Sequence, residues 1–159
     1  MANPREVAQD MAQSMRKILE SGKEAIPICV IVPKTGKSII VGFEFPKGAP
    51  EAKDQAAQFM QRMQRDPEVD YVIFLSDAWC AKAVTQEEYQ KYGSVEAMPG
   101  RSEGILVNVF GRERFTELGA WRYRRENGKL IFETPQIEWY DKATQVEGRF
   151  VPEERHAKQ

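Results

Sequence analysis

Five arginines, Arg112, Arg114, Arg122, Arg124 and Arg125, fall in one short segment, interleaved with Phe115, Trp121 and Tyr123. Guanidinium groups neutralise phosphates and aromatic rings stack on bases, so this mixture is what a single-stranded nucleic-acid surface requires. The same segment has a second, purely structural reading. Asn127-Gly128 is a strong two-residue hairpin signal, because both turn positions take positive φ. That turn sets Glu126 opposite Lys129, Tyr123 opposite Phe132 and Arg122 opposite Glu133. One face then carries Trp121, Tyr123, Leu130 and Phe132. The other carries Arg122, Arg124, Glu126, Lys129, Ile131 and Glu133, whose charges can pair across strands. A packed face and a solvated face are the favoured reading, since 23 basic residues against 24 acidic ones leave no net basic field.

Carboxylates offer a second chemistry. Asp77 lies near the end of an apolar strand, where sites gather in mixed folds, and its plainer role is a turn or cap acceptor. Glu44 and the Glu51-Ala52-Lys53 triplet could join it in a metal-dependent hydrolase. However, their spacing does not distinguish them from surface charges, and Glu51 suits a helix start on electrostatic grounds alone. His156 is the chain's single imidazole. It sits in a charged tail, where nothing would hold it within reach of a nucleophile. With only two cysteines and no CxxC or HExxH spacing, no metal site is expected. The glycines form neither GxGxxG nor GxxxxGK[ST], and no cofactor is expected. Asn108 is a polar residue within an apolar strand, a satisfied structural amide or one turned to water.

Composition narrows the class further. Apolar residues at 42% and charged residues at 30% describe a globular chain, and 159 residues suit one domain. The N-terminal segment has no apolar h-region, and no apolar run approaches the roughly 20 residues that span a bilayer. A cytoplasmic protein with no membrane contact is the expectation. Cys29 and Cys80 both fall in apolar strand candidates and read as buried free thiols.

Several elements must position these residues. Asn3, Pro4 and Glu6 form a helix-start signal with capping-box spacing, and Val7, Met11, Met15 and Ile18 recur as an apolar stripe ending at Ser21-Gly22. A hairpin follows over 26–32 and 38–45, then a breaker cluster at 46–50. A second helix spans 51–65 with Ala52, Ala56, Phe59, Met60 and Met63 on one face, and Gln55, Gln58, Gln61 and Gln64 directed to solvent. The methionines on both stripes read as core.

The strand from Val69 to Trp79 is apolar at nearly every position, as a central strand buried on both faces should be. It alone has a connection long enough to run parallel to an earlier strand. A short helix over 85–92, strands over 105–110, 118–126 and 129–133, and a possible strand over 137–140 complete the list. The order α-β-β-α-β-(α)-β-β-β predicts one α+β domain over 1–151, with two main helices on a mostly antiparallel sheet of five to six strands. Residues 152–159 read as a charged, flexible tail.

The stretch Met98-Pro99-Gly100-Arg101-Ser102-Glu103-Gly104-Ile105-Leu106-Val107 resembles one found in uncharacterised bacterial and phage proteins. In those, a Pro-x-Arg-x-Glu loop precedes an apolar strand and a polar hairpin. The resemblance implies no activity. It highlights Arg101 and Glu103, either as a loop-fixing ion pair or as part of a binding surface.

These features favour a non-catalytic role through self-association or a protein partner. Trp139 and Tyr140, near the sheet end, are the candidate interface anchors, because aromatic side chains supply much of an interface's energy. Single-stranded nucleic-acid binding through Arg112, Arg114, Arg122, Arg124 and Arg125 is the first alternative. A carboxylate-dependent metal hydrolase using Asp77 is the second.

Overall fold

Helix α1 (Pro4–Glu20) starts where its cap signal predicts. Asn3 Oδ1 accepts from the Glu6 backbone N–H at 2.9 Å, which satisfies one otherwise unpaired donor of the first turn. The return bond differs from a capping box, because Glu6 Oε1 accepts from the Asn3 side-chain amide at 3.2 Å. The helix ends at Ser21, and Gly22 follows with φ of +83°. The chain, known from a computed structural model, is described over residues 3–44, 50–80, 86–93, 101–111 and 116–140. Arg112, Arg114, Pro99, Gly100, His156 and the 152–159 tail therefore lie outside the described residues.

The remaining elements are β1 (Ile28–Pro33), β2 (Ile39–Gly42), α2 (Pro50–Arg65), β3 (Val69–Cys80), α3 (Gln86–Tyr92), β4 (Ser102–Gly111), β5 (Thr116–Glu126), β6 (Lys129–Phe132) and β7 (Glu138–Tyr140). The strands form a single sheet in the order β2-β1-β3-β4-β5-β6, and β7 pairs with β5 beyond the end of β6. Among the described residues every pairing is antiparallel. The expected α+β domain with a mostly antiparallel sheet is the observed fold. Strand β3 does run in the same direction as β2, but β1 lies between them and is the strand to which β3 bonds.

The sheet is covered on both faces, which accounts for the continuous apolar run of β3. Tyr71, Ile73 and Leu75 point to the α1 face. They pack there with Ala8, Ala12, Met15 and Leu19 of the helix and with Ile105, Val107, Val109, Trp121 and Tyr123 of β4 and β5. Val72 and Phe74 point to the α2 face and pack with Cys29, Ile31, Phe110 and Met60. Ile18, expected on the buried stripe of α1, is exposed instead, and Leu19 takes the core position. Gln64 is not free in solvent either. Its side-chain amide donates to the Gly111 carbonyl at 2.9 Å and ties α2 to the end of β4.

The Asn127-Gly128 hairpin has the expected register, with Tyr123 facing Phe132 and Glu126 facing Lys129. Among the described residues no helix is long and apolar enough to cross a membrane.

Candidate functional site

Alternation along β3 puts Asp77 and Trp79 on the same face as Leu75. The registers β3 to β4 and β4 to β5 then align Trp79, Glu103 and Tyr123 in one line across three strands. Asp77 is one step along, in line with Ile105 and Trp121. The result is a polar cluster at one end of the α1 face. Tyr123 Oη donates to Asp77 Oδ1 at 2.6 Å. Arg125 Nε donates to Glu103 Oε2 at 2.7 Å, and its Nη2 donates to Glu103 Oε1 at 3.2 Å. The Arg125 guanidinium lies 5.8 Å from the Tyr123 ring centre. Arg101 stacks over Trp79 at 4.8 Å, and Trp79 is 37% exposed.

This geometry sets the titration behaviour. The carboxyl of Asp77 is pushed above its ordinary range, first by lost hydration and then by the neighbouring Glu103 charge. The single hydrogen bond from Tyr123 and the Arg125 charge oppose that shift. The Tyr123 hydroxyl is pushed up as well, by burial and by its bond to Asp77. A phenol held protonated beside a carboxylate is a fixed donor, not a base. Asp77 and Glu103 are two carboxylates in one cluster. Among the described residues, though, no three His, Cys, Asp or Glu side chains come together as a metal site.

The resemblance-highlighted pair separates in the structure. Glu103 is paired with Arg125, and Arg101 lies over the Trp79 ring, so neither is the other's partner. The arginine set divides in a similar way. Arg124 donates to Glu126 at 2.8 Å on the exposed surface. Arg125 is held by Glu103 on the α1 face. Arg122 corrects the expectation of a solvated face, because it is only 7% exposed. Its Nη2 donates to Tyr140 Oη at 2.8 Å.

Trp139 and Tyr140 are both half-buried within the chain. Trp139 packs against the α1 core, with the Arg5 guanidinium 5.1 Å from its ring centre. Arg5 also pairs with Glu117 at 2.7 Å, so the first helix and β7 are joined through the end of β5. Asn108 is half-buried on the α2 face between Phe74 and Leu118. Cys29 is a buried free thiol.

The exposed apolar surface is elsewhere. Ile39 and Ile40 on β2 are 57% and 58% exposed, and Ile26 lies over Gly42 with its Cδ1 2.7 Å from where a Cβ would stand. Sequence patterning gave no reason to single out this strand, because a hairpin read from its own residues does not show which strand ends the sheet. Trp79 and Tyr123 were likewise out of reach as partners, since their alignment depends on β4 lying between them.

Comparison with family models, with curated proteins and with solved structures finds no match.

Proposed function

We propose that the chain acts by association, with the β2 edge as its contact surface and a second copy of itself as the partner. The observation that supports this is the exposure of Ile39 and Ile40 on the terminal strand of the sheet. The two residues point to opposite faces, so water meets apolar surface on both sides of an edge that no described strand pairs. Such an edge is a template for another strand.

Antiparallel pairing of identical strands keeps each residue on its own face only about certain axes. A two-fold axis at Val41 sets Ile39 opposite Phe43, Ile40 opposite Gly42 and Ser38 opposite Glu44. Ile39 then gains an aromatic neighbour, Ile40 meets the gap beside Ile26, and the Ser38 hydroxyl can donate to a carboxylate. The strand is short, and the dimer is correspondingly weak, at the small end of specific interfaces.

The nucleic-acid alternative gains nothing from Arg124 or Arg125, each paired with a carboxylate within the chain, and Arg122 is too buried to meet a strand. Trp139 and Tyr140 also serve contacts inside the protomer, which moves the interface reading from them to β2.

Sedimentation velocity over a concentration series tests the proposal. The wild type is expected to shift from monomer to dimer as concentration rises, and I39K and I40K to remain monomeric. A wild type that stays monomeric throughout overturns self-association. A dimer lost in W139A but kept in I40K overturns the choice of surface.

A further inference from the structure

We propose that Arg122 anchors a small-anion site on the α2 face of the sheet, one that takes the oxyanion of a carboxylate or phosphate group. Arg122 is more than nine-tenths buried, and no carboxylate of the described residues lies within ion-pair distance of it. Its Nε and Nη1 have no hydrogen-bond partner. A guanidinium cannot shed its proton to escape this situation, as a buried lysine can. A buried positive charge with unpaired donors is strongly unfavourable, so something must offset it.

Among the described residues Tyr140 does so only in part, through its hydroxyl and a ring whose centre lies 6.0 Å from the guanidinium. In register beside Arg122 stands Gly104, and beyond it Ala78 on β3. On its own strand, the previous residue facing the same way is Ala120. None of these carries a polar side chain, and Glu138, which pairs with Ala120 on this face, is exposed. The Met60 cluster under α2 fills the other end of this face, around Cys29, Val72, Phe74 and Phe110. The facing residue Glu133 is tied by its backbone, whose N–H donates to the Arg122 carbonyl at 2.9 Å, while its side chain is exposed.

The free donors are suitably arranged for an anion. Nη2, the bonded nitrogen, sits between Nε and Nη1 in the guanidinium fork, and Tyr140 uses one of its protons. Its second proton, with the one nitrogen that shares its edge, can form the two-point contact that guanidinium makes with carboxylate or phosphate oxygens. Gly104 and Ala78, in register with Arg122, bring no polar side chain to compete for those donors.

Side-chain ¹H–¹⁵N spectra of the arginine Nε groups test this directly. Inorganic phosphate and acetate are titrated separately at constant ionic strength, held with sodium chloride. The Arg122 Nε signal, assigned by its loss in R122K, is expected to move saturably with at least one of them. Movement with phosphate alone assigns a phosphate group, and movement with acetate alone a carboxylate. No movement with either overturns the proposal. The variant A78E keeps Arg122 and places a carboxylate on the same face. It is expected to abolish the anion response and to raise the melting temperature without added anion. A phosphate or acetate response equal to wild type in A78E also overturns the site.

Discussion

Tyr123 Oη and Asp77 Oδ1 lie 2.6 Å apart although β4 separates their strands, so the bond crosses the sheet diagonally over Ile105. It links the central strand to the hairpin on the α1 face. The bond by itself lowers the Asp77 pKa, but burial outweighs it. Folding raises its pKa, chiefly through lost hydration. The stabilising contribution is therefore fully present below the unfolded value of 3.8 and is lost as pH rises through the folded value. D77N keeps an oxygen that accepts from Tyr123 but does not titrate. Urea unfolding of both proteins, from about pH 4 to about pH 7, is expected to show wild type losing stability relative to D77N as pH rises. Asp77 is exposed, so the divergence is modest. Parallel pH profiles would remove the carboxyl as its source.

Arg125 and Glu103 make two hydrogen bonds at the rim of the same cluster. Arg125 is largely exposed, and an exposed ion pair gains little over hydration by water. A double-mutant cycle with R125A and E103A is expected to give a coupling of about 0.2–1 kcal/mol that shrinks with added salt. A coupling well above that range, insensitive to salt, would mark the pair as a buried structural element.

Cys29 lies between α2 and the sheet, and burial pushes its thiol up to about 12. Thiolate is the reactive form, so native Cys29 is expected to be nearly inert to a maleimide. In a C80S background, labelling should require opening of the α2 face and accelerate with urea in step with unfolding. Fast labelling of the folded protein would show that this face opens locally.

Short-range features were legible from the residues. Asn127 and Gly128 take φ of 51° and 77°, as the turn chemistry demands, and the register out to Tyr123–Phe132 follows from it. The helix start at Asn3 and the two-sided burial of β3 were readable for the same reason, since each depends on a residue and its near neighbours. What covers a strand face was not. Alternation separates Arg122 from Trp121 and Tyr123, but it does not distinguish a face open to water from one packed under other segments. The candidate cluster needed still longer range. Asp77, Glu103 and Tyr123 meet only once β4 is set between β3 and β5, and no local signal encodes that order.

Gly119 marks a close approach between β5 and β7. A Cβ there would stand 2.6 Å from Ile137 Cγ2, 3.0 Å from Trp139 Cε3 and 3.2 Å from the Glu138 carbonyl oxygen. Ile137 is buried in the α1 core, its backbone N–H donates to Gln9 Oε1 at 2.9 Å, and Trp139 is held under Arg5. Because the crowding involves backbone as well as side chains, it cannot be relieved by one rotamer change. G119A is expected to destabilise the fold by roughly 1–3 kcal/mol. It should also loosen β7, so that, with Trp79 replaced by Phe, emission shifts to the red before global unfolding in urea through Trp139, since Trp121 is fully buried in the core. Stability and emission equal to the parent protein would mean that β7 docks without close contact at Gly119.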